Sequence, residues 1–188
     1  MIIDSYDLTS VNGGSVILIS ENRFSYIPAV DFFGSDSFTY TLKDSEVNIT
    51  NSVIKYAAVG LNCAATCNIN NSEIRYSGVG VNLNGESSVS ILNSVFDANA
   101  GAVIADMKGV LTLNNNVYVN NYGRIAGAVS LHSVGAGSLL SHSIFSRNTG
   151  GSTDGAIYSN SANELQILNN LIIQNSATNA GDAVYLYP

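Results

Sequence analysis

Tryptophan is absent from the chain, proline occurs twice, and only 11% of the 188 residues are charged. Seven Lys and Arg stand against 14 Asp and Glu, a formal charge of −7, and the basic residues never form a run. That excludes the cationic footprint that nucleic acid or an anionic membrane would need. No apolar stretch approaches the ~20 residues that cross a bilayer as a helix, so membrane insertion of this chain is not expected. The opening "MIIDSYDLTSVNGG" has neither a basic n-region nor a long apolar h-region. If the natural protein is exported, its signal lies outside this chain, and the expectation is a fragment of a larger protein with flanking domains. Good helix formers are scarce, whereas Gly, Asn and Ser are abundant. With 46% hydrophobic residues the chain can nevertheless bury a sizeable core, and the fold class it predicts is all-β.

Cysteine is nearly absent too. Cys63 and Cys67 lie in "NCAATC" with no histidine nearby, a poor basis for a zinc site. Three intervening residues fit a small-loop disulfide in an oxidising compartment. The alternative is that Cys67 serves as a small apolar core residue, because it stands where other segments carry Val47, Val89 and Leu111.

Those segments are the dominant signal. "VNITNSVI" from 47, "CNINNSEI" from 67, "VSILNSVF" from 89, "LTLNNNVY" from 111, "SLLSHSIF" from 138 and "LQILNNLI" from 165 share one pattern, and their starts are 20, 22, 22, 27 and 27 residues apart. Two alternating apolar positions suit a strand with one face on a core, and the Asn-Ser or Asn-Asn pair that follows is a turn signal. No unit holds enough 3.6-residue periodicity for a helix. The pattern therefore predicts a coil of strands, each turn stacked ~4.8 Å on the last. Stacking makes Ile49, Ile69, Ile91, Leu113, Leu140 and Ile167 one interior column, and Ile54, Ile74, Phe96, Tyr118, Phe145 and Ile172 a second. The turn position reads Asn51, Asn71, Asn93, Asn115, His142 and Asn169. Asn tolerates a left-handed backbone and can donate to and accept from the same amide one turn away, which predicts a structural ladder.

Over residues 46 to 188 this pattern resembles the right-handed parallel β-helix family, the pectate-lyase-like superfold, with about six rungs. "FDAN…AGAV" at 96 to 103, "FSRN…DGAI" at 145 to 157, "YVNN…AGAV" from 118 and "IIQN…GDAV" from 172 are also similar to the FxxN and GGAI repeats of polymorphic outer-membrane proteins, which are surface-exposed, autotransported adhesins. No copy here has a full Gly-Gly-Ala-Ile. Residues 1 to 45 lack the repeat and read as a strand, a polar turn at Glu21-Asn22, a strand ending at Pro28, a loop through Gly34, and a third strand "DSFTYTLKD". Phe24, Tyr26, Pro28, Phe33, Gly34, Asp36, Ser37, Phe38, Thr39 and Tyr40 resemble the C-terminal half of cadherin-like or bacterial Ig-like modules of secreted and surface proteins. Such a half-sandwich is expected to cap the first rung as a short N-terminal β segment. At the far end "AVYLYP" stops in mid-pattern, which predicts a truncation or an exposed edge strand.

β-Helix relatives include polysaccharide lyases and hydrolases, so a base near acidic calcium ligands, or paired carboxylates, has to be sought. Glu46, Glu73, Glu86, Asp97, Asp106, Asp154, Glu164 and Asp182 are scattered, no catalytic residue stands out, and no G-x-S-x-G elbow occurs. No cofactor is implied; isolated carboxylates such as Asp154 or Asp182 fall short of a calcium shell. His132, in the loop "LHSVGAG", reads as solvated. The candidate ligand-binding cluster is Lys55-Tyr56 with Arg75-Tyr76, twenty residues apart, beside Glu73, where two tyrosines and two cations suit a sugar ring. A solvated outer face is the alternative reading of the same residues. The chain thus reads as a non-catalytic piece of an extracellular or cell-surface protein, either a rigid stalk or an adhesive module whose partners are cell-surface or matrix glycans. A lyase or glycosidase is the alternative. Ice binding is disfavoured because no column of Thr repeats.

Overall fold

The structure is a computed structural model that describes residues 2–20, 23–43, 46–151, 154–161, 165–178 and 182–187. The turn at Glu21-Asn22 and Glu164 lie outside the described residues, as do the side chains of Asp154 and Asp182. The chain divides into two compact units, Met1–Ser45 and Glu46–Pro188.

The larger unit is a parallel β-helix. Its first sheet stacks Glu46–Thr50, Thr66–Asn70, Val89–Leu92, Leu111–Asn114, Ser138–Ser141 and Leu165–Leu168. The second stacks Val53–Lys55, Glu73–Arg75, Val95–Asp97, Val117–Val119, Ile144–Ser146 and Leu171–Ile173. The third stacks Val59–Cys63, Val79–Gly85, Val103–Met107, Val129–Ser133, Asp154–Ser159 and Asp182–Leu186. Six rungs result, and all three sheets pair in parallel. The strand register puts Ile49, Ile69, Ile91, Leu113, Leu140 and Ile167 in one column. Ile54, Ile74, Phe96, Tyr118, Phe145 and Ile172 make the second. A third, which the repeat alone does not reveal, is Leu61, Val81, Val103, Val129, Ile157 and Val184. These columns meet in the buried core, and the rings of Phe96, Tyr118 and Phe145 stack at centroid distances of 5.1 and 4.7 Å.

Each rung turns twice through left-handed backbone. Asn51, Asn71, Asn93, Asn115, His142 and Asn169 form the first corner, with φ between 49° and 55°. Tyr56, Tyr76, Ala98, Asn120, Arg147 and Gln174 form the second, with φ between 53° and 58°. Four residues lie between the two corners in every rung, whereas the connections elsewhere vary. The 27-residue rungs use their extra residues mainly between the second corner and the third sheet, where Tyr122–Gly123, Thr149–Gly150 and Ser176–Ala177 pair as a small additional sheet.

The residue after each corner points inward. After the first, Ser52, Ser72, Ser94, Asn116, Ser143 and Asn170 link rung to rung, the backbone N–H of each of the first five donating to the side-chain oxygen of the next. After the second, the backbone N–H groups of Asn99, Asn121 and Asn148 donate in the same way along the row to Asn175, and the four amides also donate to the carbonyls of Ile74, Phe96, Tyr118 and Phe145. A solenoid interior would otherwise strand these backbone groups without partners.

The smaller unit holds two antiparallel pairs, Ile2–Tyr6 with Tyr40–Lys43 and Ser15–Ser20 with Arg23–Ile27. The strand expected from Asp36 begins only at Tyr40, and it pairs with Ile2–Tyr6, a strand that no sequence pattern announces. The reason is Asp36. Its carboxylate accepts from Ser10 Oγ at 2.5 Å, Tyr26 Oη at 2.6 Å, Ser37 N at 2.8 Å, and Asn12 N at 3.0 Å, which commits this stretch to a loop. Burial acts to raise the Asp36 pKa; these hydrogen bonds outweigh it and hold the carboxyl well below its ordinary range. Tyr6, Phe24 and Phe38 pack edge to face at its centre.

Candidate functional site

Tyr56 and Tyr76 directly follow the first two strands of the second sheet. Their rings stack with centroids 5.5 Å apart and planes 11° from parallel, and remain 78% and 47% exposed. Lys55 and Arg75 are paired in register one residue earlier on the outer face. Arg75 is ion-paired with Glu73, so the two cations expected beside the rings reduce to Lys55 and a neutralised pair. The structure therefore brings Lys55, Tyr56, Arg75, Tyr76 and Glu73 together, but the tyrosines occupy a corner and not a strand. A left-handed backbone is unfavourable for a bulky aromatic residue.

The expected asparagine ladder runs along the first corner, on the solvent side. Asn71 Nδ2 donates to Asn51 Oδ1 at 2.6 Å, and Asn115 Nδ2 to Asn93 Oδ1 at 2.7 Å. Between them it is interrupted, because Asn93 Nδ2 turns to Asn70 Oδ1 at 2.8 Å. The His142 ring continues the row between the amides of Asn114 and Asn169, at 3.4 and 3.3 Å. A groove of about 470 Å³ runs beside Asn51, Asn71 and Asn93, with Val53, Glu73 and Val95 on its other wall.

Cys63 and Cys67 are joined as a disulfide with Cα atoms 6.6 Å apart, and both are buried. Cys67 pairs in register with Val47 and Val89, so the bonded cysteine is also a core residue. His132 is not a freely solvated loop residue. The register shift after Ala105 makes it a β-bulge in Val129–Ser133, half-buried, with its ring 5.5 Å from that of Tyr158. Together with Arg124, Ile104 and Ser130 it lines a cleft of about 280 Å³ under the loop of the fourth rung. The sequence offered no signal for it, because a bulge is set by register and not by residue type.

The FxxN and Gly-Ala-Val/Ile motifs lie inside. Phe96, Asn99, Ala102, Val103, Phe145, Asn148, Ala156 and Ile157 are all buried. The Phe fills the second column, the Asn serves the inner ladder, and the small residue lets rungs approach: a Cβ on Gly80, in the same column as Ala102, would fall 2.5 Å from the Ala102 carbonyl oxygen. In these two copies the motif residues named serve packing.

Among the described residues no three His, Cys, Asp or Glu side chains gather as a metal site. Asp97 accepts from the Asn120 amide, Glu46 from the Asn68 amide, and Glu86 from Lys108 Nζ. No described helix is long and apolar enough to cross a membrane.

A family model described as a bacterial Ig domain matches residues 3–57, the smaller unit and the first strands of the β-helix. No curated protein and no solved structure matches the chain. The parallel pairing of three six-stranded sheets is itself the evidence for the second architecture. The chain thus joins a segment similar to a bacterial Ig domain, a kind of domain typical of extracellular and surface-associated proteins, to a parallel β-helix.

Proposed function

We propose that this protein is a non-catalytic module of a secreted or cell-surface protein that contacts carbohydrate through the outer face around Tyr56 and Tyr76. The observation that carries the reading is the stacked, exposed tyrosine pair. The fourth rung places Asn120 at the same corner, a residue that accepts left-handed backbone readily. The first two rungs hold tyrosine there instead, at a conformational cost of roughly 1–2 kcal/mol per residue, and so expose a stacked pair of rings to solvent. Stacked aromatic rings with exposed edges and phenol hydroxyls, flanked by Lys55 and the Glu73–Arg75 pair, suit the mixed apolar and hydroxylated surface of a sugar.

A glycan-array screen of the whole chain, with and without calcium, tests this. Binding that disappears in Tyr56→Ala/Tyr76→Ala is expected; silence across the array assigns the chain to a rigid stalk instead. The alternative of a polysaccharide lyase or glycoside hydrolase draws on the cleft beside Arg124 and His132. Its lining contains no carboxylate, and turnover of any bound glycan, lost in His132→Ala, would establish that reading over ours.

A further inference from the structure

The groove along the first corner repeats with the rungs. On one wall each rung contributes a carboxamide, from Asn51, Asn71 and Asn93; on the other, Val53, Glu73 and Val95. The repeat is the inter-strand spacing, ~4.8 Å. An extended peptide rises ~3.3 Å per residue and returns to the same face only every second residue, so it falls out of step with such walls. A nucleic acid strand would meet no Lys or Arg in the groove and a chain of net charge −7. A chain of pyranoses can advance about one sugar per rung.

The walls also specify which sugar. Aliphatic Val53 and Val95 alternate with Glu73, whose charge Arg75 takes up. In a β-1,4-linked chain successive sugars are rotated by about half a turn, so a given substituent faces the same wall at every second residue. A substituent placed against Val53 and Val95 has to be apolar at its tip, whereas the facing wall offers amide hydrogen bonds. At the centre of the groove, the turning of Asn93 towards Asn70 leaves Asn71 Oδ1 accepting from no described residue. An acetamido group supplies both an N–H and a methyl.

We infer that this groove binds an extended β-1,4-linked polysaccharide bearing acetamido groups, laid along the solenoid axis at about one sugar per rung. The inference rests on the carbohydrate-contact reading and names the glycan class for that same outer face, whose other edge carries Tyr56 and Tyr76. Asn71 Oδ1 accepts the acetamido N–H, and Val53 and Val95 cover alternate methyls.

Calorimetric titration of the whole chain with β-1,4-linked N-acetylglucosamine di- and tetrasaccharides and with cellotetraose tests it. The expected result is tetrasaccharide binding about tenfold tighter than the disaccharide and about tenfold tighter than cellotetraose. Asn71→Gly, which keeps the left-handed corner accessible while removing the amide, should weaken tetrasaccharide binding about tenfold. Should that variant fail to fold, Val53→Asp, at a 58% exposed position, serves in its place with the same expected loss. Equal binding of cellotetraose overturns the acetamido assignment. Unchanged binding in Asn71→Gly, together with loss in Tyr56→Ala/Tyr76→Ala, overturns the groove and leaves the broader carbohydrate reading standing. No binding of either sugar series here, with a positive glycan array, likewise overturns the groove alone; silence in both overturns both readings.

Discussion

Tyr118 carries a hydroxyl into a column whose neighbours are Phe96 and Phe145, and Oη has no hydrogen-bond partner among the described residues. Burial pushes the phenol pKa far above its ordinary value. An unpaired buried hydroxyl costs about 1–3 kcal/mol, so Tyr118→Phe should stabilise the fold by an amount of that order in urea unfolding; a loss of stability would mean the hydroxyl is satisfied. The two asparagine rows make a sharper comparison. Asn121 donates to Phe96 O and Asn148 Oδ1 and accepts from Asn99, all in the interior. Asn115 lies on the outside with its amide on Asn93. Asn121→Ala should therefore cost at least ~3 kcal/mol, and Asn115→Ala ~1 kcal/mol, chiefly from the left-handed backbone. Equal losses would refute the division into inner and outer ladders. The sequence shows the outer row clearly but hides the inner one, because adjacent residues such as Asn115 and Asn116 are chemically alike and only the corner decides which turns inward.

At the level of the element, the six strands of each sheet follow from alternation and register, which a repeated sequence exposes. The smaller unit was less legible. Ile2–Tyr6 has no repeat to announce it, and Asp36 converts what reads as a strand start into a loop. That loop should be sensitive to acid. The Asp36 pKa is lowered in the folded state, so its contribution is fully present above the ordinary carboxyl value of 3.8 and is lost as the pH falls below it towards the folded value. Melting of this unit, followed by NMR of Tyr26 and Phe38, should decline over that acid window in the native chain and be flatter in Asp36→Asn. A parallel decline in the variant would place the acid sensitivity elsewhere.

For the whole molecule, burial is greatest in the middle rungs. Ile69, Ile91, Leu113 and Leu140 are fully buried, whereas Ile49 and Ile167 are partly open and Leu168, Leu171, Ile173 and Leu186 of the last rung are exposed. In a solenoid each rung is held only by its neighbours, so native-state amide exchange should be slowest in Val89–Leu92 and Leu111–Asn114 and fastest in Leu165–Leu168 and Leu171–Ile173. Uniform protection would instead indicate a single cooperative block. The coil itself was readable from six aligned segments because its periodicity is written into the chain. The groove and the His132 cleft were not, since both arise between rungs, from residues far apart in sequence.

The constant four residues between the two corners leave all variation in length to the other connections. Those connections are therefore places where the chain can be lengthened without disturbing the register of either ladder. Such a spine separates inheritance from novelty: loops grow and diversify at the rim, as the fourth rung has done around Arg124, while the stacked core beneath keeps its geometry.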